Sequence, residues 1–203
     1  MAKYIDTLLR KTLIEMMERK PLDEITVIEL TERAEVNRKT FYNHFPDIAA
    51  LIVSIVWKDL DELTADVTTL QTWDEGVRRI VAWLKDNEPF VKAVYASRCK
   101  SAFEQAFQSR LGEKVALVVD NAISWLSEYH GETYNVTRYQ RKYLTRYYAS
   151  LICSVIICWI EGGMREPVDD IVALTKTLNS DGLYDGVRQF TLKNIRQSGE
   201  DEA

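Results

Sequence analysis

Along nearly the whole chain apolar residues recur at steps of three and four, the spacing of one face of an α-helix. Ile5, Leu8, Leu9, Leu13, Met16 and Met17 make such a stripe over residues 3–19, and Pro21 ends it. Thr26, with Glu29 three residues on, has capping-box spacing and predicts the start of a second helix. Asn37 suits the N-cap of a short third helix, whose Phe41 and Phe45 are four apart and share an inner face. Asp47 caps a fourth, with Leu51, Ile52, Ile55, Val56 and Leu60 on its apolar side, running to about residue 70.

The same period predicts helices over 73–87, 89–97, 101–111 and 113–129, then a polar loop over 131–136. Residues 137–161 read as the longest helix, ended by Gly162 and Gly163. Another helix follows Pro167 over 168–180, and 183–195 is a last amphipathic segment before a frayed acidic tail, QSGEDEA. No alternating strand segment, internal repeat or low-complexity stretch interrupts this pattern.

The pattern predicts an all-α fold. Residues 1–47 are expected to form an N-terminal three-helix bundle with a helix-turn-helix, and residues 48–203 a larger helical domain. The fourth helix is expected to join them as a continuous rod. In the 137–161 helix the apolar residues come in pairs: Tyr143-Leu144, Tyr147-Tyr148, Leu151-Ile152, Val155-Ile156 and Trp159-Ile160. A four-residue step overshoots one turn by about 40°, so the stripe swings to a new face along the helix. That width fits either a helix central to one domain or, as favoured here, one facing its own core and a second subunit. Leu151, Val155 and Trp159, with Ile171, Leu174 and Leu178 of the next helix, are the candidate subunit contacts.

Composition narrows the chemistry. Of 203 residues, 46% are apolar and 28% charged, enough for a real core under a hydrated surface. The formal charge is -5, and the first 50 residues hold eight Lys/Arg against nine Asp/Glu, so a nucleic-acid site has to be a local patch. Cys99, Cys153 and Cys158 lack disulfide spacing and read as reduced core residues. With only two histidines, His44 and His130, there is no metal set and no nucleophile pair, so no metal and no cofactor are expected. The start lacks a signal-peptide core, and the longest apolar run, residues 147–160, is too short to span a bilayer; no membrane partner and a cytoplasmic location are expected.

Candidate chemistry concentrates at the third helix. A helix that reads the major groove presents its N-terminal turn, with side chains for phosphates and base edges. Arg38 and Lys39 occupy that turn and can reach bases; Thr40, Tyr42 and His44 carry groups that hold phosphates. Farther on, Trp83, Tyr95, Phe103, Phe107, Trp125 and Tyr148 are candidates for an apolar ligand pocket as well as for simple core. Few charges interrupt these helices, which favours an apolar, neutral ligand.

The run TVIELTERAEVNRKTFYNHFPDIAAL resembles the N-terminal domain of TetR-family transcriptional regulators, and VNRKTFYNHF is similar to that family's reading helix. The resemblance implies that the DNA-facing residues are Thr26, Asn37, Arg38, Lys39, Thr40, Tyr42, Asn43 and His44. Of these, Thr26, Thr40, Tyr42 and His44 would touch phosphates, and Arg38, Lys39 and Asn43 would face bases. The chain departs from the family at Glu35, where a turn glycine is usual, at Thr31 for a small residue, at Ile28 for an early Arg, and at Ile48 for a phosphate-binding Lys. The run YYASLICSVIICWIEGGMREPVDDIVAL resembles the Firmicutes-type C-terminal domain of TetR proteins, including Tyr147-Tyr148, Trp159 and the Gly-then-Pro break.

The resemblance implies a homodimeric, sequence-specific regulator of transcription, not an enzyme. It would be a repressor that binds double-stranded DNA at a near-palindromic operator, under an unknown small-molecule or protein effector held in the C-terminal domain. Two-fold symmetry would set its reading helices about one DNA turn, roughly 34 Å, apart. The alternative is a coactivator or interaction module of the same fold, controlled by a protein partner.

Overall fold

The computed structural model describes residues 2–130 and 136–179, and among them every regular element is helical. Helix α1 (Ala2–Met17) is followed by a short 3-10 turn (Leu22–Glu24), then α2 (Val27–Arg33) and α3 (Arg38–His44). The second domain comprises α4 (Ile48–Leu63), α5 (Leu70–Asp86), α6 (Glu88–Tyr95), α7 (Lys100–His130), α8 (Arg138–Glu161) and α9 (Val168–Asn179).

Local chemistry sets the ends of the small helices. The Thr26 hydroxyl accepts from the Glu29 amide at 3.2 Å, and the Glu29 carboxylate accepts the Thr26 amide at 3.0 Å, the expected capping box. Two hydrogen bonds close α2: the Glu35 amide donates to the Glu32 carbonyl and the Val36 amide to that of Thr31. This is a Schellman turn, whose left-handed position is here Glu35, at φ 53°. The departure from glycine noted in the sequence therefore costs backbone strain. Helix α8 ends the same way, with Gly163 at φ 88° and the Met164 amide donating to the Trp159 carbonyl at 2.9 Å.

Three boundaries differ from the sequence reading. Helix α4 stops at Leu63 and does not run on to residue 70. The Thr64 hydroxyl donates to the Leu60 carbonyl at 2.6 Å, and Val67 folds back to be buried, its methyl groups lying where a side chain on Gly76 would stand. The helices expected at 101–111 and 113–129 are one, so that α7, with 31 residues, exceeds α8, with 24. Gly112 does not break it, because Leu111 and Val115 on either side are buried and packing outweighs the glycine cost of about 1 kcal/mol. The N-cap of α8 is Thr137, which makes a capping box with Gln140. The segment 183–195, the acidic tail and all but Val136 of the expected loop lie outside the described residues.

One continuous core runs through both domains. In α1, Leu9 and Leu13 are fully buried; in α4, Leu51, Ile52, Ile55 and Val56 are, and Phe41 closes the bundle from α3. Helix α7 packs along α4 and α8, and α9 lies against α5 and α8. The apolar length of α8 would suffice to cross a membrane by composition, yet 44% of that window is buried against the rest of the chain. One side of the helix therefore packs inward, and Tyr143 and Tyr147 stand exposed on it.

Replacing Glu35 with glycine should stabilise the protein by about 0.5–1 kcal/mol, since relief of the left-handed strain outweighs the added chain entropy. A thermal melt should show Tm rising by roughly 1–4 °C. A fall in Tm would show that Glu35 makes a compensating contact.

Candidate nucleic-acid interface

Helix α3 is held by its apolar face and by its caps, which leaves a defined polar face outside. Phe41 is fully buried and Phe45 nearly so, their rings 5.9 Å apart, so the helix cannot roll without opening the core. The Asn37 side chain accepts from the Lys39 amide at 2.8 Å and fixes the first turn. Asp47 does the same for α4 by accepting from the Ala50 amide at 2.7 Å.

On this frame the expected DNA-facing residues fall into two groups. Arg38, Lys39, Tyr42 and Asn43 are exposed, and Arg38 and Lys39 make no ion pair among the described residues. Tyr42 stands edge-on to Phe41, 5.4 Å between centroids, which steadies an exposed phenol. Thr40 is half-buried at the rim. The other residues are engaged within the fold. The Thr26 hydroxyl is held in its capping box with Glu29, and the Asn37 carbonyl oxygen in its cap. His44 bonds through Nδ1 to the Asp6 carboxylate of α1 at 2.6 Å, leaving only its other ring nitrogen for a phosphate. Sequence reasoning missed this tie because its partner lies 38 residues upstream.

Two acids near α3 are engaged within the fold. Glu29 is bound by the Lys20 ammonium at 2.7 Å, and Asp6 by His44. The Lys20 hydrogen bond and those from the Thr26 amide and hydroxyl hold the Glu29 carboxyl near 2, well below its ordinary value. Ile28 is exposed on α2, and Ile48 packs against the core at the start of α4. Neither is a cation, as the sequence reading noted.

Helix α4 carries charged contacts to α1 and α7 that the sequence reading did not single out. On α4, Asp59 pairs with Arg10 of α1, and Asp61 pairs with Arg110 of α7. The Arg110 guanidinium also lies over the Trp57 ring at 5.5 Å. Elsewhere, ahead of α7, the Arg98 amide donates to Asp23 of the 3-10 turn at 3.0 Å. One signal was available: Asp59 falls on the buried face of α4, where a carboxylate needs a partner.

The aromatic residues expected at a ligand pocket lie in different settings. Tyr95, Phe103 and Phe107 do cluster, but as packed core, with Tyr95 edge-on to Phe103 and the two Phe rings parallel at 6.3 Å. Trp83 is half-buried against the core, and Tyr148 is buried edge-on to Tyr147. Trp125 is exposed and stacks on Tyr129 at 5.0 Å. Among the candidate subunit contacts, Trp159 and Ile171 are buried within the chain's own core. The Trp159 indole donates to the Glu166 carbonyl at 3.1 Å, because the turn after α8 folds back over it. Leu151 and Val155 are half-buried, and Leu174 and Leu178 are exposed.

Comparison with known proteins agrees with this layout. Residues 9–55 match the family described as bacterial regulatory proteins, tetR family, and residues 71–181 match the family described as transcriptional regulator C-terminal region. The chain is 23% identical over 151 residues to the HTH-type dhaKLM operon transcriptional activator DhaS of Lactococcus lactis, covering 73% of this chain and 75% of that one. Among solved structures, the dihydroxyacetone kinase operon activator DhaS superposes with a TM-score of 0.62 at 19% identity, covering 92% of this chain and 97% of that one. Thermus thermophilus FadR, a TetR-family repressor solved with lauroyl-CoA, superposes at 0.63 with 15% identity, over 87% and 94% of the two chains. At these identities the likeness to the solved structures establishes the fold.

The depressed Glu29 carboxyl has a measurable consequence. Its folded pKa lies below the unfolded one, so its contribution is present above about 4.5 and is lost as pH falls toward about 2. Denaturant titrations across that window should therefore show a shallower acid loss of stability for Glu29→Gln than for the wild type. Equal slopes would mean that the Lys20 pair does not persist in solution.

Proposed function

The chain belongs to the TetR family of DNA-binding transcriptional regulators, and from that premise we propose that a homodimer reads a near-palindromic DNA site through α3 of each subunit. The observation that carries this reading is the outward pair Arg38-Lys39, unpaired by any described carboxylate, on a helix pinned by Phe41, Phe45 and the Asn37 cap. Arg38 offers a bidentate contact to a guanine edge, and Lys39 reaches a base or phosphate. Tyr42, Asn43, Thr40 and the free nitrogen of His44 flank them as positioning contacts. Thr26 and Asn37 serve chiefly by holding the helix starts. The family regulates transcription and is not a class of enzymes; the proposed setting is the cytoplasm.

The proposed subunit contact is the outer face of α8 and α9. Tyr147 and Leu151 on α8 and Leu174 and Leu178 on α9 present apolar surface that the chain itself leaves open. Two such pairs make a four-helix contact across a two-fold axis. The proposed route from effector to DNA is the joint on α4. A shift of α7 acts on α4 through Arg110 and Asp61, and α4 acts on α1 through Asp59 and Arg10. An effector that binds one setting of this joint better than the other changes DNA affinity by that difference.

We take a repressor as the first reading, because a dimer seated on DNA blocks transcription by occupancy alone. An activator working with a partner protein is the second, favoured by the likeness to the activator DhaS. A reporter gene placed behind a site selected by the purified protein separates them: loss of the regulator raises output for a repressor and lowers it for an activator.

Arg38→Ala should weaken binding to the selected site by about 1–3 kcal/mol and relax preference at one base pair, read by titration at fixed salt. Unchanged affinity would remove Arg38 from the interface. Leu174→Asp should move the protein toward monomer in sedimentation and weaken DNA binding with it. A dimer of undiminished stability would place the subunit contact elsewhere.

A further inference from the structure

Helix α8 carries a concentration of positive charge that neither DNA reading nor subunit pairing uses. From Arg138 to Ile160 it contains no carboxylate, while Arg138, Arg141, Lys142 and Arg146 crowd its first three turns in a chain of net charge -5. Arg138, Lys142 and Arg146 stand at steps of four, so they form one exposed row. Like charges at that spacing destabilise a helix. Arg141 is matched by Asp120 of α7, whereas the three in the row make no ion pair among the described residues.

The row lines one wall of a groove of about 640 Å³ between α8 and α7, within the range of small-molecule sites. The opposite wall offers Gln105 and Gln108, which are neutral donors, and no described carboxylate lines the groove. Gly112 leaves the α7 side open: a methyl group there would meet nothing within 4 Å. The overall negative charge does not cancel this site, because salt screens charges beyond about 8 Å at physiological ionic strength.

We propose that this groove binds a small molecule carrying two or more phosphate or carboxylate groups, held by Arg138, Lys142 and Arg146. Guanidinium groups meet such oxygens in bidentate fashion, and the ammonium between them adds a point charge. The site enters regulation only if the proposed function holds, but its occupancy stands apart from DNA and is tested without it.

The test is calorimetric titration of the full-length protein, at low ionic strength, with inorganic pyrophosphate and separately with citrate. At least one should bind saturably at one site per chain; pyrophosphate alone would mark a phosphate ligand, and citrate alone a carboxylate ligand. Lys142→Gln with Arg146→Gln should weaken that binding tenfold or more. A control with the same loss of charge outside the groove, Lys58→Gln with Arg165→Gln, should leave it within twofold. Circular dichroism and thermal melts should show the groove variant folded, with Tm unchanged or slightly raised by relief of repulsion. Absence of saturable binding for both probes, or equal weakening by groove and control variants, would overturn the proposal.

Discussion

Helix α4 has to pack against α1 and against α7 at once, and the rest of the structure is arranged around that demand. Its buried residues Leu51, Ile52, Ile55, Val56 and Leu60 face α1 on one side and α7 on the other. A helix with so wide an apolar face cannot also be freely solvated, so its polar residues become joints. Asp59 is nearly buried and is tolerated because Arg10 reaches it from α1. Without that guanidinium, the carboxylate would be stranded at a cost of about 1–3 kcal/mol. The bond that permits the packing thus also ties α1 to α4.

The reading head divides its polar side chains between holding the helix and leaving it free to recognise something. Asn37, Thr26 and His44 are bound to an amide, a capping box and a carboxylate, so they define where α3 begins and how it is turned. Arg38, Lys39, Tyr42 and Asn43 remain outward because the Phe41 and Phe45 rings occupy the inward positions four residues apart. Glu29 and Asp6 are likewise engaged within the fold, by Lys20 and His44, while Arg38 and Lys39 make no ion pair among the described residues.

Charge is local in the second domain too. The carboxylates of α9 answer cations of α5 through Arg78 with Asp169, and Lys176 answers Asp74, so that contact is mixed in sign. The first turns of α8 have one matched cation and an unmatched row, which sets the groove beside α7 apart from the rest of the surface. Net charge, being a sum over the whole molecule, conceals this.

Much of the architecture was legible along the chain. The capping residues Thr26, Asn37 and Asp47, the strained Glu35 and the stop at Gly163 all follow from interactions between residues two to five apart, which any reading of neighbours contains. So does the all-helical pattern and the outward Arg38-Lys39 pair. What the chain alone left open depended on residues far apart in it. Gly112 would end an isolated helix but is carried through by packing of α7 on α4; α4 ends early because Val67 is drawn under α5; His44 turns to Asp6, and Trp159 is sealed inside by its own following turn. The sequence by itself determined that the chain is helical and where the caps at Thr26, Asn37 and Asp47 lie, because those energies are local. Only the tertiary structure decided which apolar residues face inward, which charges are paired and which groove stays open, because each of those depends on a partner whose place is set when the helices pack.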